Sequence, residues 1–233
     1  MSRSGQAHRF FFVHIQKTGG TALKRRLRNQ FGAGLYPTRG VDGDDMWELL
    51  MSVPRLRERL AARGDEIEAI AGHFPLRAVE SIDGQFTTLT VLREPVERMV
   101  SSLRGISGGR ADLDEVYEGL HGLASNNMTK MLALTPAELK ATIFSGFEVD
   151  RDHLERAKEA LAAMDAVGFQ EQLEDFCGVL SARFGWDLGE PVVLNTGPEV
   201  RAPETLRERI AEDNRLDLEL YEFARELLAS NRS

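Results

Sequence analysis

Cysteine is almost missing from this 233-residue chain, where Cys177 stands alone. A single thiol excludes a disulfide framework and any multi-cysteine zinc site, and it fits a reducing compartment. Long apolar runs are missing as well. The longest near the N-terminus is Phe10–Val13, too short for a signal-peptide core or for a membrane span, which takes about 20 apolar residues. The expectation is a soluble cytoplasmic protein with no membrane span. Neither an internal repeat nor a low-complexity stretch is visible. Acidic side chains are absent from residues 1–41, the first being Asp42. Eight basic residues precede it: Arg3, Arg9, Lys17, Lys24, Arg25, Arg26, Arg28 and Arg39. The formal net charge is −8, so the rest of the chain carries −16. A chain this acidic lacks the basic face that phosphate neutralisation requires, and no nucleic-acid partner is expected. A basic block within it points instead to a pocket for one small polyanion.

What is present is enough apolar material for a sizeable core, 42% of the chain, at a length that fits a single domain over residues 1–233. Arg9–Ile15 reads as a strand buried on both faces, followed by a glycine turn and a helix over Ala22–Gln30. Asp44–Arg63 reads as mostly helical, with Pro54 opening a second helix. Ile67–His73 and Phe86–Leu92 read as strands. Glu94-Pro95 starts a helix whose buried face carries Val96, Met99, Val100 and Leu103. Short helices follow over 112–145, then a helix over Asp150–Met164, a strand at Ala166–Phe169 and a helix over Glu171–Phe184. Val192–Leu194 reads as a short strand, and Pro203–Ala229 as one or two helices. Strands alternating with helices predict an α/β, three-layer fold with a central mainly parallel sheet, plus a helix-rich insertion or cap at about 107–164.

One segment has the chemistry of an anion site. After the first strand comes Gln16-Lys17-Thr18-Gly19-Gly20-Thr21. Paired glycines allow a tight turn that exposes successive amides, and those amides open a helix whose first donors lack partners. Lys17 adds a point charge, and Thr18 and Thr21 add hydroxyl donors. The nucleoside-triphosphate loop has the form G-x-x-x-x-G-K-[ST]. Here the lysine precedes the glycines, which disfavours an ordinary ATP or GTP site. Lys24, Arg25, Arg26 and Arg28 lie on the helix beyond the loop and are expected to act as a diffuse attractive field.

His14-Ile15-Gln16-Lys17-Thr18-Gly19-Gly20-Thr21 resembles the 5′-phosphosulfate loop of sulfotransferases, a P-loop-like family. It is most similar to the branch containing the heparan sulfate 2-O- and 6-O-sulfotransferases and their bacterial relatives. Gln16 stands where that branch usually has proline, and Ala22 where serine is usual. Thr90–Ser101 resembles the family's 3′-phosphate segment, a strand followed by Arg-Asp/Glu-Pro and a helix carrying serine. Gly72-His73-Phe74 resembles its Gly-His segment. Asn126–Leu132 resembles its Asn-x-x-Thr-Arg segment, with Lys130 in place of arginine. Leu194-Asn195-Thr196 and Tyr221–Ala224 also fit, so the resemblance spans about residues 9–228.

The resemblance implies an enzyme using 3′-phosphoadenosine 5′-phosphosulfate (PAPS), leaving 3′,5′-adenosine bisphosphate, with no metal. It places Lys17, Thr18, Gly19, Gly20, Thr21 and Ala22 on the 5′ side of the donor. Arg93 and Ser101 fall on the 3′-phosphate, although Ser101 and Ser102 are hard to separate. Asn195, Thr196 and Arg201 fall in a loop over the nucleotide. Asn126, Thr129 and Lys130 face the acceptor. Arg98 is expected in a structural ion pair.

Sulfuryl transfer resembles phosphoryl transfer, with in-line attack and charge spread over equatorial oxygens. Lys17 and the loop amides suit the leaving phosphate. Among the five histidines, His73 ends the second strand, where open α/β sheets bind ligands, and is the expected base. His14 is expected to be a satisfied core residue, and His121 and His153 to be solvated. Some sulfotransferases use glutamate instead, with Glu48 as the substitute here. Phe169 and Trp186 fit the core better than an adenine stack. The expected acceptor is a hydroxyl on a small molecule, a weakly charged glycan or a lipid headgroup. The missing anchor departs from the Golgi members and suggests a bacterial cytosolic enzyme. A small-molecule kinase and a non-catalytic nucleotide-binding relative are the alternatives.

Overall fold

The computed structural model describes residues 8–108, 112–138, 147–191 and 201–230. The chain runs β1 (His8–Val13), α1 (Gly20–Phe31), β2 (Leu35–Tyr36), α2 (Met46–Met51), α3 (Val53–Arg63), β3 (Ala69–Gly72), β4 (Gln85–Leu92) and α4 (Pro95–Ser107). It continues with α5 (Leu113–Glu118), α6 (His121–Ala124), α7 (Asn127–Ala133), α8 (Arg151–Ala163), β5 (Ala166–Phe169), α9 (Leu173–Phe184), α10 (Glu204–Asp213) and α11 (Arg215–Ser230). The five strands form one sheet in the order β2-β3-β1-β4-β5, and every pairing is parallel.

Alternating side chains of β1 divide the core between the two faces of the sheet, as a strand period of two requires. Phe11 and Val13 join Ile70, Leu92 and Phe169 with residues of α2, α3, α7, α8 and α11. Phe12 joins Ala69, Ala71, Leu89 and Val91 with Leu23, Leu27 and Phe31 of α1 and Phe176, Cys177 and Leu180 of α9. Leu23, Leu27 and Phe31 recur every four residues, which puts them on the one face of α1 that meets the sheet. Burying each contributes roughly 1.5–3 kcal/mol. Phe169 and Trp186 are core residues: Phe169 packs edge-on to Tyr221, and Trp186 sits among Phe10, Phe31 and Phe184. A third cluster joins α4, α5 and α10 through Val100, Leu103, Tyr117, Leu206 and Ile210.

Capping residues explain where several helices start. Asp45 accepts from the Trp47 and Glu48 amides, Ser52 from Arg55, and Glu94 from Val96 and Glu97. The Pro203–Ala229 pattern divides in two at Asn214. That side chain is fully buried; its Nδ2 donates to the Ile210 carbonyl and its Oδ1 accepts from the Asn126 amide. The Val192–Leu194 strand lies outside the described residues. Among the described residues no helix is long and apolar enough to cross a membrane.

Two expectations about charged side chains fail against this architecture, those for Arg26 with Arg28 and for His153, while Arg98 takes a buried structural place. Arg26 is buried: it donates to Leu188 O and Gly189 O and pairs with Glu174, while Arg28 grips Thr38 and Pro37 O. These cations fasten loops rather than supply a diffuse field. Arg98 is fully buried and donates to Ala124 O, with Asp217 as the carboxylate favouring its charge. Its Nε has no partner among the described residues. His153 is buried and closes a capping box with Asp150 at the start of α8, so it is not solvated.

Candidate functional site

Chain order places a topological switch between β1 and β4. From β1 the chain moves to the edge strand β2, returns to β3 beside β1, then crosses to β4 and β5 on the other side. Open parallel sheets bind ligands beyond the carboxyl ends of the strands at such a point. Residues 14–21 fill that position after β1, and Arg93 follows β4 directly.

The loop turns through two left-handed residues, Lys17 at φ 66° and Gly19 at φ 83°. A glycine takes this conformation freely, whereas a lysine holds it only under constraint. The constraint is visible: Arg93 Nη1 donates to the Lys17 carbonyl at 3.2 Å. Thr18 is fully buried and its hydroxyl donates to Ile15 O at 2.9 Å, so that donor closes the turn and is not offered to a ligand. Thr21 is exposed and Ala22 buried. Gly19 caps α1 without a side-chain hydrogen bond, and its carbonyl takes the Ala22 and Leu23 amides. The Gly20 and Thr21 amides have no protein partner among the described residues, which leaves the positive end of α1 open. Gln170, just past β5, closes one side, since a Cβ at Gly19 would lie 3.1 Å from its Cγ.

Lys17 reaches across to α4. A Cβ at Gly105 would lie 2.6 Å from Lys17 Nζ. Ser101 stands one turn before Gly105 on that face. Ser102 is buried and donates to Arg98 O, so its hydroxyl is spent. Arg93 is half-buried; burial lowers its pKa and Glu97 opposes the shift. Lys17, Arg93 and the open amides thus gather at the loop, with Ser101 on the α4 face that Lys17 meets.

His73 follows β3 on the other side of the loop. Its Nδ1 lies 2.6 Å from the His14 carbonyl. A carbonyl only accepts, so Nδ1 carries the proton and Nε2 is the unprotonated nitrogen. Burial lowers the His73 pKa, the bond to His14 raises it, and Lys24 lowers it further. His14 departs from expectation. It lies just past β1 and is buried, yet its Nδ1 has no partner among the described residues, so it is not satisfied. Burial, then His73 and Lys24, hold its pKa well below the usual value. Lys24, half-buried, is itself pushed down to about 8 by burial and Arg28. Glu48 is exposed and pairs with Arg55 at 3.3 Å.

The segment at 126–130 is tied into the scaffold. Asn126 donates to Asp213 O and accepts from the Leu216 and Asp217 amides. Thr129 is fully buried, and Asp217 accepts both its amide and its hydroxyl. Lys130 is 6% exposed and donates to Gly122 O at 3.4 Å. The contacts of Asn126 and Thr129 serve helix packing rather than an open surface. Arg201 is exposed, and Asn195 and Thr196 lie outside the described residues. Among the described residues no group of three or more His, Cys, Asp or Glu could hold a metal ion.

From sequence, Lys24 is expected in a diffuse field and His14 in the core, although His14 opens the loop motif itself; Gly105 carries no signal for this site. Compared with known proteins, the sequence matches no family model and no curated protein.

Proposed function

We propose that this chain is a PAPS-dependent sulfotransferase with a P-loop-like donor site, acting on a hydroxyl of a small molecule, glycan or lipid headgroup. The observation that carries the proposal is the hydrogen bond from Arg93 to the Lys17 carbonyl. It joins the loop suited to a 5′-phosphosulfate to the arginine suited to a 3′-phosphate, at the switch point of the sheet. The residues fit such a donor: two open amides at a helix start, an ammonium and a guanidinium all favour a nucleotide with an anionic group at both its 5′ and 3′ ends.

When bound, PAPS supplies an activated sulfuryl group and departs as 3′,5′-adenosine bisphosphate. Arg93 has further N–H donors beyond the one spent on Lys17, enough to grip a phosphate bidentately. Ser101 adds a hydroxyl on the α4 face that Lys17 meets. Lys17 and the Gly20 and Thr21 amides offset negative charge as it grows on the leaving oxygen. His73, with Nε2 unprotonated, takes the proton from the acceptor hydroxyl. Its lowered pKa keeps it competent at neutral pH.

Isothermal titration with 3′,5′-adenosine bisphosphate tests the donor site, and a panel of hydroxyl acceptors with labelled PAPS tests transfer. Binding is expected in the wild type and a loss of at least tenfold in Arg93→Ala. No binding, or equal binding in the variant, refutes the proposal. Hydrolysis of ATP with Mg²⁺ would point to a kinase instead.

A further inference from the structure

The His14 ring stands between the anion loop and the base. It packs nearly parallel to Phe12, with ring centroids 5.5 Å apart, and its centroid lies 4.4 Å from that of His73 at a tilt of 36°. Its Cδ2–Nε2 edge faces the start of α1, because a Cβ at Gly20 would lie 2.1 Å from Cδ2 and 2.5 Å from Nε2. Gly20 is thus a cradle for the ring that any side chain would fill. Allowing about 1.5 Å for the missing carbon–carbon bond, Nε2 is no further than about 4 Å from the Gly20 Cα. The open Gly20 and Thr21 amides belong to that same helix start. The other ring nitrogen, Nδ1, is sealed from solvent and has no partner among the described residues. Burial chiefly holds the ring's pKa well below the usual value, so at neutral pH it carries one proton. On Nδ1 that proton would be a buried orphan donor, which proteins avoid more strictly than an orphan acceptor. On Nε2 it stands beside the open amides.

We propose that His14 is a further binding residue of the anion site, its Nε2–H donating to the 5′-phosphate end of the nucleotide beside the Gly20 and Thr21 amides. The inference rests on the donor reading for the identity of that ligand. A lone pair at this place would repel an anion, whereas an N–H is drawn to it, and hydrogen bonds to a charged oxygen are about twice as strong as neutral ones. His14 adds a neutral, directional donor to a site whose other side chains, Lys17 and Arg93, act as cations. His73 keeps the opposite arrangement, with Nδ1 donating to the His14 carbonyl and Nε2 open. Two neighbouring imidazoles therefore hold opposite tautomers. One presents a proton to the donor, and the other presents a lone pair to the acceptor.

Long-range proton–nitrogen NMR of the histidine rings in the full unliganded chain reads the tautomer directly. The Nε2–H form is expected for His14, and a proton on its Nδ1 overturns the inference. Inorganic phosphate should then move the His14 Nε2 signal, and an unmoved signal overturns it as well. Calorimetry with 3′,5′-adenosine bisphosphate compares the wild type with His14→Gln, whose amide nitrogen falls where Nε2 stands, and His14→Asn, whose amide nitrogen falls where Nδ1 stands. The Gln variant should stay within about threefold of the wild type, and the Asn variant should bind about tenfold more weakly or worse. Equal loss in both variants, or no loss in either, overturns the inference. If the variants do not fold, the tautomer and the phosphate response of the wild type decide. A wild type that binds no nucleotide, yet whose His14 signal moves with phosphate, rejects the donor reading and keeps His14 as an anion ligand.

Discussion

Replacing Asp217 by Asn should be among the most damaging single changes outside the candidate site. Asp217 lies fully buried in the first turn of α11. It accepts from Met128 N at 2.9 Å, Thr129 N at 2.7 Å and Thr129 Oγ1 at 2.8 Å. Asn126, at the start of α7, offers no side-chain cap to its own helix. Asp217 therefore caps α7 from a neighbouring helix, satisfying amides that would otherwise be buried and orphaned. It also favours the charge of the buried Arg98 and Lys130. Asn keeps one carbonyl oxygen but turns an NH₂ toward donors and removes the anion facing those cations. Breaking a buried charge arrangement in this way costs about 3–5 kcal/mol. Thr129→Val loses one of the three bonds and should cost about 1 kcal/mol. Urea unfolding reads both: at a slope of about 2 kcal/mol/M the Asn variant should unfold roughly 2 M earlier. A loss below about 1 kcal/mol in Asp217→Asn would refute the capping argument. Under the same reasoning Thr129→Val should leave KM for the acceptor unchanged, and a raised KM with intact stability would assign the segment to acceptor binding after all.

Gly105→Ala should separate binding from stability. Alanine in α4 gains up to about 1 kcal/mol in helix propensity, yet its methyl occupies the space of the Lys17 amine. Titration calorimetry should show weaker binding of 3′,5′-adenosine bisphosphate in a protein that melts no lower; unchanged affinity would mean Lys17 works from another position. Stability should also fall in mild acid. His14 and His73 have folded pKa values below the usual 6.5, so their contribution is complete above that value and is lost as pH falls through the folded values. Each contributes a slope of at most about 1.4 kcal/mol per pH unit below pH 6.5. His14→Gln should flatten the urea midpoint between pH 5 and 7, and an equally steep profile in that variant would assign the acid sensitivity elsewhere.

Much of the sheet is readable from local pattern. The RFFFVHI run can only be buried on both faces, and Ala166–Phe169 stands out between two amphipathic helices. The two-residue strand Leu35–Tyr36 is invisible because it is defined by pairing with Ala69 and Ile70 rather than by composition. The break at Asn214 is hidden inside one continuous amphipathic pattern, since only the Asn126 amide 88 residues away reveals what its side chain does. The same division holds at the candidate site. The glycine turn and Arg93 carry their chemistry in neighbouring residues. Gly105, Lys24 and His14 acquire theirs from partners on other elements. Arg26 looked like solvated charge because its acceptors, Leu188 O and Gly189 O, lie more than 160 residues along the chain.

The parallel order of the sheet also bears on how the candidate site comes into being. Parallel neighbours must be joined across the sheet, so β1 cannot pair with β4 by a local turn. Thr90 reaches Val13 O, and Arg93 reaches Lys17 O, across sequence separations of 77 and 76. Contacts this remote form only after large loops have closed, and such topologies fold slowly. During synthesis the glycine turn emerges long before the arginine that holds it. Until β4 docks, nothing fixes Lys17 in its left-handed conformation. The anion loop is therefore a late product of folding, and nucleotide affinity, followed in time after dilution from denaturant, should return with the sheet and not with the first helix.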